Sequence, residues 1–190
     1  MATKNNALSF KIGETVVYPA HGVGVITAIE EQEVAGFKLE FFVITFDKDR
    51  LTLRVPLTKA KSSGLRKLSE PAVVKQALDL LSGKAMAKRG VWSRRSNDLQ
   101  ERIGTGQLTA IAEVLRDLNR GSEQQEASYS EQQIFEGALD FMIREVAASS
   151  QLTQTEARKL IEQSLAKAPH LNKAETLAEE PEGPDDEAAA

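Results

Sequence analysis

The hydrophobic period of this chain changes once, near Ser69, and that change decides what it can fold into. Before it, apolar residues come in short β-rich runs broken by Gly, Pro and Asp. After it, they recur every three or four residues over stretches long enough for helices. A strand alternates its side chains every second residue and a helix presents a face every 3.6, so no single element satisfies both patterns. The reading is α+β and multidomain: a small β module over 1–68, an all-helical module over 69–170 and a tail over 171–190.

In the first module, Thr15-Val16-Val17-Tyr18 is a short strand closed by Pro19, and His21-Gly22-Val23-Gly24 reads as a turn. Val25 to Ile29 is the next strand, ending in Glu30-Glu31-Gln32-Glu33, and Gly36 marks a hairpin turn. Leu39 to Phe46 is the most apolar strand; Asp47-Lys48-Asp49 turns it into Leu51-Thr52-Leu53-Arg54-Val55, which ends at Pro56. Short strands at this spacing predict a small barrel of SH3 or Tudor type.

Five helices are predicted in the second module. Ser69-Glu70-Pro71 reads as an N-cap with proline in the first turn, followed by Val73, Val74, Ala77, Leu78 and Leu81. Trp92 to Ile103 forms the second helix, with Trp92, Leu99 and Ile103 as candidate inward residues. The third carries Leu108, Ile111, Ala112, Val114, Leu115 and Leu118. Ser130 is the expected cap of a long fourth, and Thr153-Gln154-Thr155-Glu156 opens a fifth that closes at Pro169.

Charge is unevenly spread. The 190 residues sum to −4, but residues 171–190 hold seven acids and one lysine, so the rest of the chain is net positive. That acidic, proline-containing end lacks the apolar residues to fold and is expected to be disordered. Lys84, Lys88, Arg89, Arg94 and Arg95 crowd into residues 84–95 with no acid among them, a local basic stretch suited to focused contact with a polyanion. There is no cysteine, which removes disulfides and thiolate chemistry. No leader-like apolar run follows Met1 and none approaches a membrane span, so a cytoplasmic protein with no membrane partner is expected.

Catalytic chemistry finds no footing. His21 and His170 fall in different modules without partners for a metal site. The His21-Gly22-Val23-Gly24 run lacks the third glycine of a dinucleotide loop and the Gly-Lys-Ser/Thr of a P-loop, and a strand follows it. Glu30/Glu31 and Asp47/Asp49 read as solvated hairpin ends. A protein that is not an enzyme and needs no cofactor is expected.

The run Gly90-Val91-Trp92-Ser93-Arg94-Arg95 holds the only tryptophan, at a helix start and beside two arginines. A flat apolar ring can wedge against bases, and forked guanidinium groups suit phosphate. The alternative is a core tryptophan followed by a solvated helix end.

Four ordered blocks now carry a resemblance. Phe10-Lys11-Ile12-Gly13-Glu14-Thr15-Val16-Val17-Tyr18-Pro19-Ala20-His21-Gly22-Val23-Gly24 resembles the start of the CarD/CdnL family of bacterial transcription regulators. Similar matches follow in Leu51-Thr52-Leu53-Arg54-Val55-Pro56, in Trp92-Ser93-Arg94-Arg95, and in Ala112-Glu113-Val114-Leu115-Arg116-Asp117-Leu118. They lie in order within residues 10–168, the stretch that the resemblance covers. The resemblance implies a Tudor-like domain that docks on the β subunit of bacterial RNA polymerase. It also implies a helical domain that reaches promoter DNA at the upstream edge of the melted bubble. On that basis Trp92 is the wedge, Arg94, Arg95, Lys88 and Arg89 hold the DNA backbone, and Arg54, Thr52 and Gln32 face the polymerase. The expected assembly state is a monomer. One position departs from the family pattern: Gln32 stands among Glu30, Glu31 and Glu33 where several relatives carry a basic residue. The alternative function is a polymerase adaptor that never touches DNA.

Overall fold

The computed structural model describes residues 10–34, 36–48, 50–86, 91–119 and 128–169. Lys88, Arg89, Asp49, His170 and the 171–190 tail lie outside the described residues. Within them a five-stranded antiparallel sheet is followed by five α-helices, as the change of period predicts.

The sheet comprises β1 (Thr15–Tyr18), β2 (Gly22–Val34), β3 (Phe37–Phe46), β4 (Leu51–Pro56) and β5 (Arg66–Lys67), in spatial order β4-β3-β2-β1-β5. Its inner face follows the alternation of β3: Phe42, Ile44 and Phe46 are buried with Val16, Ile26 and Val55, and Phe10 closes the end edge-on to Phe42. Members of both outer parts of the sheet thus share one core, with a register shift between Ile26 and Ala28 that lets β2 bend.

Two expectations are corrected here. The His21–Gly24 segment is not a turn: the chain reverses at Pro19–His21, and β2 starts at Gly22. Gly24 lies under Phe46, where a Cβ would come within 2.8 Å of the ring, so glycine serves packing there. Nor do Glu30 and Glu31 sit on a hairpin end. β2 continues to Val34 and pairs Glu30 with Phe41, Glu31 with Glu40 and Gln32 with Leu39. Lys38 relieves the like-charged Glu31–Glu40 pair by meeting Glu31 at 3.0 Å.

The helices are α1 (Pro71–Leu81), α2 (Trp92–Gly104), α3 (Leu108–Leu118), α4 (Tyr129–Ser150) and α5 (Gln154–Ala166). Their apolar stripes converge on one core in which Leu81, Leu108, Ile111, Leu115, Met142 and Ile161 are almost wholly shielded. The fourth cap is Ser128, not Ser130: Ser128 Oγ accepts from Glu131 N, and Glu131 returns a carboxylate to Ser128 N. The Ser-x-x-Glu box starts two residues before the serine nearest the apolar stripe. At α5 the expected Thr153–Glu156 box is present. At α1 the N-cap position is Glu70, with no side-chain cap, and Pro71 opens the helix. Ser69 is used elsewhere.

Ser69 belongs to the clamp that joins sheet to helices. Arg66 of β5 meets Glu145 of α4 with two parallel contacts of 2.6 and 2.7 Å. Ser69 donates to the same carboxylate from its hydroxyl, at 2.6 Å, and from its backbone N–H, at 3.2 Å. Arg66 Nε also donates to the Gly106 carbonyl at 2.9 Å, between α2 and α3. Glu145 has no solvent exposure, so this satisfaction is required rather than incidental. Pro19 packs against Gly106 close by; with φ +66° and Pro19 Cα 3.1 Å from where a Cβ would stand, that position needs glycine. A second bridge runs from Lys48 at the end of β3 to Asp140 of α4 at 2.6 Å.

Candidate nucleic-acid interface

Trp92 is the first residue of α2. Val91 occupies the N-cap with extended backbone and no capping side chain, and its carbonyl accepts from the N–H groups of Arg94 and Arg95. The indole is half-buried: one part packs on the helical core and the rest lines an open cleft. Leu99 of the same helix is buried, and Ile103 is partly so, as their spacing predicts.

The two adjoining arginines are placed differently. Arg94 is exposed, directed away from the core. Arg95 is half-buried, with its guanidinium 5.7 Å from the centre of the Trp92 ring. That arrangement is a cation–π contact, and it fixes one face of the indole. Arg95 also approaches Glu131 of α4 at 4.0 Å, so the ring, the guanidinium and the first turn of α4 form one assembly. Two further arginines nearby are spent internally. Arg102 meets Glu113 and Asp117, and Arg116 meets Asp117, whose carboxylate also accepts from Met86 N at 3.0 Å. Asp117 thereby ties the segment leading toward Trp92 onto α3.

The cleft has a volume of about 530 Å³ and lies between the modules. One wall is α2, through Trp92, Ser96, Gln100 and Ile103; another is α4, through Ile134, Gly137 and Phe141; the β1–β2 turn forms the third. At one end Asp140 accepts from Lys48 and from Arg144, the latter at 2.8 Å. Burial works to raise the Asp140 pKa, but the hydrogen bond from Lys48 and the charge of Arg144 outweigh it and hold the carboxyl below its usual range.

The residues expected to face the polymerase lie on the outer face of the sheet, Arg54 and Gln32 joined through Glu30 and Thr52 at a separate position on β4. Arg54 and Thr52 pair with Val43 and Thr45, and Gln32 pairs with Leu39, all on the alternate positions of β3 that point away from the core. Arg54 Nε donates to Glu30 at 3.2 Å, and Gln32 reaches the same carboxylate at 3.4 Å. Glu30 thus joins Arg54 to Gln32, and the sequence reading missed it by placing it on a turn. Val34 and Phe37, 47% and 72% exposed, extend this face to the tip of the β2–β3 hairpin. Their signal was available: an apolar residue on each side of the hairpin turn is unlike a solvated loop. β4 forms one edge of the sheet among the described residues.

Among the described residues no cluster of three or more His, Cys, Asp or Glu side chains is arranged to hold a metal, and no helix is long and apolar enough to cross a membrane. His21 stacks on Tyr18 at 5.8 Å and leans on Phe46 at 5.4 Å, an aromatic packing role at the cleft's edge.

The described residues thus form a strand module clamped to a helical module that carries Trp92, Arg94 and Arg95 at the start of α2. Residues 10–69 match the CarD-like/TRCF RID domain and residues 76–162 match the CarD C-terminal domain. The chain is 30% identical over 149 residues to YdeB of Bacillus subtilis (strain 168), a candidate transcription factor; the match covers 78% of this chain and 97% of YdeB. It also matches the solution NMR structure of the 72-residue N-terminal domain of Myxococcus xanthus CarD at 38% identity. That match covers 33% of this chain and 84% of that domain, with a TM-score of 0.28. This protein belongs to the CarD family.

Proposed function

We propose that this CarD-family transcription regulator docks on the β subunit of RNA polymerase through its sheet and stabilises the open promoter complex through Trp92. The outer-face residues Arg54 and Gln32, joined through Glu30, together with Thr52 are the polymerase contact. Trp92 inserts at the upstream edge of the melted bubble, where unstacking is already under way and a wedge costs least. Arg94 holds backbone phosphate beside it, with Lys88 and Arg89 assigned to the same task from the sequence. Arg95, stacked on the indole, keeps the ring oriented and adds positive charge. The regulator acts in the cytoplasm, as a monomer and without catalysis.

The observation that carries this reading is the half-buried ring of Trp92, held by Arg95 and open to a cleft on its other side. Aromatic–base stacking is worth ~1–3 kcal/mol, which at ~1.4 kcal/mol per decade slows bubble collapse roughly tenfold or more. So few phosphate contacts give weak, salt-sensitive binding to free DNA. Docking on the polymerase raises the local concentration enough to make them count.

Co-purification with polymerase separates the two faces. Arg54→Glu is expected to abolish recruitment, whereas Trp92→Ala is expected to leave it intact. Normal recruitment of Arg54→Glu would refute the assignment of the sheet face. The packing of Trp92 on the helical core favours a second reading, an adaptor without DNA contact. That reading requires the fluorescence of Trp92 to be indifferent to promoter DNA in the ternary complex, whereas insertion requires a change.

A further inference from the structure

Gly137 stands in the middle of α4, a 22-residue helix, where glycine costs about 1 kcal/mol relative to alanine. Nothing among the described residues explains it. Its φ is not positive, and a Cβ built there would meet no described atom within 4 Å. The position faces the interdomain cleft, across from Trp92. Gly104, at the end of α2, faces the same cleft with the same empty surroundings. Glycine without internal cause on the wall of a cleft marks a place where something else comes close to the backbone.

The remaining walls indicate what that is. Trp92, Ile134 and Phe141 give flat and apolar surface, and Gln100 and Gln133 give amides able to donate or accept. At one end of the cleft two lining cations, Lys48 and Arg144, share the carboxylate of Asp140, so the cleft lining itself carries one more cation than carboxylate, with Asp47 beside them outside the cleft. A flat ring carried on an anion matches all three features. We propose that this cleft receives one unpaired nucleotide of the opened promoter, its base against Trp92 and Ile134 and its phosphate at the Lys48–Arg144 end. The proposal rests on the promoter-stabilising reading above and adds to it a pocket that both modules build.

The test uses the full chain with polymerase on a promoter carrying 2-aminopurine at single positions around the upstream bubble edge. Gly137→Ala adds one methyl group to the cleft wall; it is expected to raise the melting temperature yet shorten open-complex lifetime, by less than the larger side chain below. Gly137→Met fills the cleft with a strong helix former. It is expected to fold and bind polymerase normally, to shorten the lifetime about tenfold, and to abolish a 2-aminopurine quench that wild type shows at one position. Wild-type lifetime and quench in Gly137→Met would overturn the proposal, as would equal losses in the alanine and methionine variants. If Gly137→Met is silent while Trp92→Ala shortens the lifetime, the cleft is refuted and the wedge stands. If both are silent, both fall.

Discussion

Arg95 does at the scale of a single residue what the sequence could not show: it faces the indole. Two consecutive arginines beside a tryptophan look alike in a sequence, but about 100° of helical rotation separates their directions. Removing the guanidinium should free the ring. In Arg95→Ala the fluorescence of Trp92, the only tryptophan, is expected to be quenched more strongly by acrylamide than in wild type, by about twofold if a cation–π contact of ~1 kcal/mol is lost. Arg95→Lys keeps the charge and loses the planar stack, so it should fall between the two. Unchanged quenching in Arg95→Ala would show that the ring is held by the helical core alone. The basic stretch as a whole was legible from composition. The division of labour within it was not, because Glu131 reaches Arg95 only through the packing of α4 on α2.

At the scale of elements, the cap of α4 separates two serines that the sequence leaves close rivals. Ser128→Ala is expected to destabilise the protein by about 1 kcal/mol, since it removes half of a reciprocal box, and Ser130→Ala by no more than a few tenths. Thermal unfolding of the two variants decides, and the opposite ranking would move the helix start. Helices with unbroken apolar stripes, α1 to α5, were readable from period alone. Strand ends were harder. The acidic run Glu30–Glu33 looked like a turn because carboxylates usually sit in solvent. In β2 they are tolerated because the partner strand supplies Lys38 and because β4 supplies Arg54. Such cross-strand compensation depends on register, which no local window contains. The two-residue β5 is too short to leave a periodic signal, yet it carries Arg66.

Whole-molecule behaviour rests on the bridges between modules, and these were invisible in the sequence because their partners lie far apart along it. Arg66 and Glu145 are separated by 79 positions. Glu145→Ala leaves the Arg66 guanidinium without its carboxylate and should cost about 3 kcal/mol, lowering the melting temperature by roughly 6–12 °C. A shift of a degree or less would show that the clamp contributes little. The Lys48–Asp140–Arg144 bridge has a defined pH window. Because the folded Asp140 pKa is depressed, its contribution is fully present above the unfolded value, near ~3.9, and is lost only as pH falls through the lower folded value. Since Asp140 is partly exposed, that contribution is modest and screened by salt. Wild type is therefore expected to lose more stability than Asp140→Asn as pH falls below about 4, with the two converging in acid. A difference that stays constant between neutral and acid pH would remove the ion pair from the account.

On the proposed function the bridges matter because a regulator moored on polymerase would prop a bubble only if its mooring and its wedge keep a fixed relation. The decisive quantity is the decay time of preformed open complexes after a competitor is added, compared for wild type and Trp92→Ala at saturating, equal occupancy of polymerase. The account predicts decay about tenfold faster with the alanine variant. Identical decay, with both proteins bound, would contradict it.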